Sequence, residues 1–336
     1  MKRVFRIAPL SILPAVAAVG MAAAQQPLPA PDARAVLSLL SENDSYAADT
    51  DRWYTNGFRF GWTSAEGTLP APLAWVDGGL AGLLGPAQTR WGLALGQSMF
   101  TPLDKRRRVP DPRDRPYAGY LYGEISLDRR TATTLDRFGL QVGVVGPSAL
   151  ARQAQDVVHE FLGDRQARGW NYQLRDEPVF NLHWARTWRL PAASLPGGLA
   201  VDALPTLSLA AGTVQIYAGA GARLRLGQGL ERDFGPPRIR PAIGDAPAPV
   251  GEGFGWYLFG GVGGRAVARD IFLNGNTWRE NTPSVDHRPF VGDLELGAAV
   301  FWHNIRLSYT QVWRSKEFVA QPKSFRFGAL SLSVAF

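Results

Sequence analysis

The chain has 336 residues, 37 of them glycine, with 11 Trp, 9 Tyr, 17 Phe, no cysteine and a formal charge of +7. Without cysteine there are no disulfides, no thiolate nucleophile and no cysteine metal site. After the first 24 residues no stretch reaches the ~18 uninterrupted apolar residues of a membrane helix.

Lys2, Arg3 and Arg6 precede an apolar run that starts at Ile7 and ends on Ala22-Ala23-Ala24, before Gln25. This is the pattern of a secretory signal peptide with a small-residue cleavage site. Residues 1–24 are expected to be the leader and 25–336 the mature chain. Losing the three basic residues takes the charge from +7 to +4, and no nucleic-acid partner is expected for such an exported chain. The ~310 remaining residues fit either two soluble domains or one large all-β domain.

Period-2 alternation then recurs down the chain. Phe58, Phe60 and Trp62 alternate with Gly57, Arg59 and Gly61. Phe180, Leu182 and Trp184 alternate with Asn181 and His183, Leu224 and Leu226 with Arg223 and Arg225, and Ile305, Leu307 and Tyr309 with Asn304, Arg306 and Ser308. The last segment, "FRFGALSLSVAF", puts Leu330, Leu332, Val334 and Phe336 on one face and Ser331, Ser333 and Ala335 on the other. Twelve such segments are expected, near 35–43, 53–63, 90–99, 117–127, 135–145, 179–190, 200–211, 215–226, 254–266, 289–301, 304–313 and 324–336. A membrane β-barrel has apolar residues facing lipid, polar residues facing the lumen and aromatic girdles at both interfaces. The rival is a soluble sandwich. The expected fold is all-β: a closed antiparallel transmembrane barrel of about twelve strands. An even count puts both termini on the periplasmic side, so the odd-to-even connections lie outside the cell. The dense polar motifs fall there, including "SENDSYAADTDRWYTNG" at 41–57 and "TPLDKRRRVPDPRDRPYAG" at 101–119.

Two connections predict helices. "LAWVDGGLAGLL" in the inner connection 64–89 reads as a short interfacial helix. "PSALARQAQDVVHEFLG", from Pro147 to Gly163, reads as a helix in an extracellular connection, capped by Ser148 and ended by Gly163. Gln155 and His159 are four apart and share a face with Ala151 and Arg152. Leu150, Val157, Val158, Phe161 and Leu162 are expected to pack. The Pro/Gly-rich inner connection 227–253 carries no recognisable chemistry.

Among the four histidines, His159 alone combines a helical platform, an amide one turn away and acids in nearby loops. That suits a general base, and it also suits a packing histidine. Asn43 and Asp44 close the first segment. They offer hard oxygen donors for a cation such as Ca²⁺, or ordinary turn and cap chemistry. "DRWYTNG" reads equally as turn and strand entry, with Asn56-Gly57 as a bulge or turn pair. Lys105, Arg106, Arg107 and Arg108 form either a solvated charge run or a site for the phosphates and acidic sugars of lipopolysaccharide. No Gly-x-Ser-x-Gly elbow, phosphate loop or zinc helix motif is present.

Read together, "SENDSYAADTDRWYTNGFRFGW", "GQSMFTP", "DRPYAGYLYGEISL", "GVVGPSALARQAQDVVHEFLGD", "GWNYQLRDEP", "GPPRIRP", "FLNGNTW" and "KEFVAQ" resemble, in order, the successive blocks of the outer-membrane lipid A 3′-O-deacylases. The resemblance covers nearly the whole mature chain. It implies a twelve-stranded outer-membrane barrel and Ca²⁺-dependent hydrolysis of the ester-linked 3′ acyloxyacyl chain of lipid A, with His159 as catalytic base, Gln155 beside it, and Asn43 and Asp44 as the Asn-Asp pair at the metal. The family's hydroxyl on the second strand falls at Thr63 or Ser64. The nearest acid after the histidine is Asp164, followed by Arg165. Lys105 to Arg108 are the expected substrate-binding residues, lipopolysaccharide and the outer membrane the expected partners, and a monomer the expected state. An outer-membrane phospholipase and a non-enzymatic, porin-like barrel are the alternatives.

Overall fold

The computed structural model describes residues 27–46, 53–162, 166–239 and 253–336, with the backbone alone at positions 158, 159, 161 and 162. The expected leader lies outside the described residues.

Among the described residues thirteen strands form one antiparallel sheet, β1 (Val36–Asn43), β2 (Trp53–Thr63), β3 (Gln88–Thr101), β4 (Ala118–Arg130), β5 (Thr134–Val145), β6 (Glu177–Trp188), β7 (Ala193–Leu195), β8 (Leu199–Gly212), β9 (Gln215–Gln228), β10 (Phe254–Asp270), β11 (Phe290–Trp302), β12 (Ile305–Arg314) and β13 (Phe325–Ala335). The first strand pairs the last, from Val36↔Ala335 to Asn43↔Gly328. β6 pairs β8, so twelve strands close a ring and remove every long sheet edge. β7, three residues long, adds only to β8. The start of β1 and the end of β13 meet at one end, where the amide of Ala35 donates to Phe336 and that of Phe336 to Ala35. This inner end has the short turns at 131–133 and 303–304. The opposite, outer end carries the long connection between β5 and β6, which holds α2 (Ala151–Leu162).

The strands alternate as lipid outside and polar groups inside require. On β9 the outward Leu224 is 61 % exposed, and Arg223 and Arg225 on either side of it are 1 % exposed in the lumen. The lumen is filled by paired charges. Arg59 and Arg137 meet Glu124 at 2.7 and 3.2 Å, Arg223 meets Glu295 at 2.6 Å, and Arg314 meets Asp293 at 2.6 Å. Charges removed from water this far must be paired and hydrogen-bonded.

The inner connection after β9 is part of that filling. Residues 229–239 turn back into the barrel. Asp233 accepts from Arg225 (2.6 Å), Arg306 (3.0 Å) and the Tyr257 hydroxyl (2.8 Å). Further along, Arg238 and the amide of Ile239 reach Glu42 near the outer end of β1. The described part of the stretch that offered no chemistry in the sequence, 229–239, is a lumenal plug.

The helix in the connection after β2, α1 (Ala71–Leu84), lies where the sequence placed it. The extracellular helix begins later than expected. A single 3-10 turn, Pro147–Ala149, comes first, and Leu150 adopts a left-handed conformation (φ 57°) before α2 starts. Ser148 therefore does not cap α2, and its amide and hydroxyl both donate to Asp176. The expected terminator Gly163 lies outside the described residues.

Candidate active site at the outer rim

A row of paired residues crosses four strands at the outer end. Asn43 on β1 faces Asn56 on β2, Asn56 faces Met99 on β3, and Met99 faces Gly119 on β4. At ~4.8 Å per strand the row spans roughly 14 Å. Asp44 follows Asn43 at the start of a 3-10 turn, Asp44–Tyr46, and is 1 % exposed. The Asn43 side chain accepts from the Ser45 amide at 2.7 Å, so the pair does perform turn chemistry. It also leaves a buried carboxylate and an amide oxygen side by side at the rim.

The far end of the row supports α2. Ala151, its first residue, sits on Gly119. A β-carbon at 119 would lie 2.6 Å from that of Ala151 and 3.1 Å from that of Ala149. Gln97 on β3 donates to the Ala149 carbonyl at 2.7 Å. Ala151 packs with Met99, Tyr117, Ala167 and Trp170, and Ala154 joins them. Gln155, 2 % exposed, accepts from the Trp170 indole at 2.7 Å. Of the face read as catalytic, Ala151 and Gln155 are held against the wall and Arg152 is exposed. Of the residues expected to pack, Leu150 is 50 % and Val157 67 % exposed, and the side chains of Val158, Phe161 and Leu162 lie outside the described residues. His159 is one helical turn beyond Gln155 in α2.

Thr63 and Ser64 do not belong to this rim. Thr63 pairs with Val36 at the inner end, roughly 23 Å from Asn56's level at ~3.3 Å per residue. The hydroxyl at the outer end of β2 is Thr55, 4 % exposed. The register shifts between Tyr54 and Asn56, and this bulge sets the Thr55 hydroxyl 2.7 Å from that of Thr101. The sequence signal was "DRWYTNG", where a bulge was one of the readings, placed a step late. Asp164 and Arg165 lie outside the described residues. His183 borders a lumen cavity with Glu124 and Arg137, in keeping with a lumenal role.

The basic loop divides. Arg106 and Arg108 line an open cleft with Arg152 of α2, Arg168, Asn171 and Tyr172. Lys105 contributes its carbonyl, which accepts from the Arg168 amide (2.9 Å) and the Tyr117 hydroxyl (3.2 Å) and so ties the loop to the segment after α2. Arg107 lies 3.9 Å from Asp111. Hydrogen bonds from the Arg113 side chain and amide hold the Asp111 carboxyl down at about 2. Arg168, far along the chain from the basic run, was not visible as part of it.

Oxygen donors of the Asp44 and Asn43 type suit a hard cation such as Ca²⁺. Among the described residues no three His, Cys, Asp or Glu side chains gather into a metal site.

A closed, lumen-filled wall with an apolar outer face and a polar rim defines an outer-membrane β-barrel protein that crosses the bilayer many times. Residues 10–336 match the model of the family described as Outer membrane protein LpxR, and the chain belongs to that family. Among solved structures, LpxR from Salmonella typhimurium is similar with a TM-score of 0.74 and 20% identity, over 90% of this chain and 100% of that one. The β domain of the Bordetella autotransporter BrkA matches at a TM-score of 0.42 and 10% identity, over 91% of this chain and 100% of that one. No curated protein sequence matches.

Proposed function

We propose that this barrel is a lipid A 3′-O-deacylase, a carboxylic ester hydrolase working at the outer leaflet. The observation that carries the reading is the shared rim. One row of paired residues links the Asn43–Asp44 end of β1 to the strand on which α2, the helix of His159, is docked. The arginine cleft opens beside that helix.

Each part has a chemical task. The arginines of the cleft bind the phosphates and acidic sugars of lipopolysaccharide, which a planar guanidinium grips bidentately. The exposed Leu150 and Val157 suit the acyl layer beside the rim. His159 takes a proton from water as the oxygen attacks the ester carbonyl, then gives it to the 3′ alkoxide as the carbon–oxygen bond breaks. The products are the free acyloxyacyl carboxylate and a 3′-hydroxyl on the sugar. Gln155, locked by Trp170, fixes the helix on which this occurs. Ca²⁺, held by Asp44 and Asn43, would supply positive charge for the developing oxyanion.

The test is the lipid A mass profile of cells with and without the protein. Loss of the 3′ acyloxyacyl mass supports the reading, and unchanged lipid A with cleaved phospholipids replaces it by a phospholipase. His159→Ala should abolish release while the barrel remains heat-modifiable. Asp44→Asn should raise the Ca²⁺ needed for half-maximal activity by about tenfold or more, as loss of one charged ligand implies.

A further inference from the structure

The lipid-facing surface of this barrel is expected to be strand. One helix interrupts it. α1 has the sequence APLAWVDGGLAGLL, with a single charged residue, Asp77. A helix apolar on all sides is normally enclosed on all sides, yet none of its residues is buried. Leu73, Asp77, Leu80, Ala81 and Leu84 are half-covered, and their spacing is that of one helical stripe. On the other side Trp75 and Leu83 are each 83 % exposed and Val76 40 %.

The covered stripe shows what α1 leans on. Arg129 of β4 donates to Asp77 at 2.6 Å and to the Gly85 carbonyl at 2.8 Å. Along β4, Glu124 and Asp128 face the lumen, where they pair with Arg137. By alternation Ile125 and Arg129 face outward, and Ile125 is 36 % exposed, whereas Arg129 is only 2 % exposed. The helix therefore lies against the outside of the wall and neutralises the one cation that β4 presents there. It does so at the level of Thr89, two residues inward of Trp91, whose ring meets Trp62 (5.0 Å between centroids) near the inner ends of β2 and β3. Such aromatics mark the membrane interface.

We infer that α1 is immersed in the periplasmic leaflet of the outer membrane, its Trp75, Val76 and Leu83 face in contact with phospholipid acyl chains. Continuity with the lipid-facing strand surface, which includes Leu93 and Leu95 of the neighbouring β3 (49 % and 59 % exposed), and the turning of its one charge inward both favour lipid over water or a polar partner. The helix hangs from the strands whose outer ends form the candidate site. Its immersion thereby fixes the depth of that rim, whatever reaction the rim performs.

The chain has no cysteine, so single labels report single positions. Leu83→Cys, Leu95→Cys and Thr68→Cys, each carrying a nitroxide, would be reconstituted in phosphatidylethanolamine–phosphatidylglycerol vesicles with a polar nickel chelate on both sides. The inference expects position 83 to collide readily with oxygen and poorly with nickel, as at 95, with an accessibility ratio several-fold above that at 68. A ratio equal to that at 68 places α1 in water and overturns it. Protection from both reagents means that a protein, or a second copy, covers the helix and overturns it equally.

Discussion

Arg238 lies 3.4 Å from Glu42, a residue 196 positions earlier in the chain. Glu42 immediately precedes Asn43 and Asp44. The plug that rises from the inner end thus reaches the base of the outer rim. The same carboxylate accepts from the Ile239 amide at 3.1 Å, and Ile239 packs with Leu40 and Ala329. Arg238 also stands 3.5 Å from Glu295 and 3.8 Å from Asp293, so one guanidinium serves three buried acids.

Arg238→Met should therefore destabilise the barrel strongly. It strands negative charge in the lumen, and breaking a buried pair from one side costs about 3–5 kcal/mol. The effect is read as a rate of unfolding. The heat-modifiable band should be lost at a lower temperature. Arg238→Met combined with Glu42→Gln should recover part of the loss, and a double variant no better than the single would refute a direct coupling.

Gly119 separates the site from the barrel as a scaffold. A side chain there collides with Ala151 and Ala149, whereas at Gly123, two pleats along the same strand, a β-carbon meets nothing within 4 Å. Gly119→Val should lift α2 from the wall and lower deacylation by about 10²-fold, the scale of a 1 Å misplacement. Gly123→Ala should leave it unchanged. Equal activity in both variants would mean that the seat of α2 does not matter to the reaction.

The twelve closing strands could be read from sequence because lipid and lumen impose opposite demands on alternate residues, as Leu224 and Arg225 do. On α2 four residues depart from that logic: Ala151 and Gln155 are buried, and Leu150 and Val157 are exposed. A face carrying Ala151 and Gln155 looks like a working face, and one carrying Leu150 and Val157 looks like a core face. At this rim Ala151 makes a close approach to Gly119, and Leu150 and Val157 are left open. The plug was invisible for another reason: it has no periodicity, and its partner Glu42 is distant in sequence. Thr55 escaped because a bulge shifts its register, which alternation alone does not report.

The arginine cleft makes a kinetic prediction. Phosphate contacts remote from the ester should bind ground and transition states alike. Arg106→Ala with Arg168→Ala should then raise KM for lipopolysaccharide about tenfold or more and leave kcat nearly unchanged. The wild type should lose affinity with added salt, and the double variant should lose less. A fall in kcat at constant KM would assign these side chains to the chemistry instead.

At the inner end, Glu66 and Asp32 latch the segment before β1 to the turn after β2. Burial opposes the charge on Glu66. Hydrogen bonds from Arg130 and the Asp32 amide, with the charges of Arg130 and Arg90, outweigh it and hold the carboxyl below its ordinary range. Asp32 is also lowered. Burial again opposes its charge, and Arg34 and Arg90 prevail. A carboxyl whose folded pKa is depressed stabilises the latch above its unfolded value, near 4, and loses that contribution as pH falls through the folded value. A nitroxide on Leu28→Cys should therefore be immobile at pH 7 and become mobile only as the pH drops below about 4. With Glu66→Gln added, the label should already be mobile at pH 7 and respond weakly to acid. A transition centred above pH 5, or none in the parent, would show that these two carboxylates do not hold the segment in place.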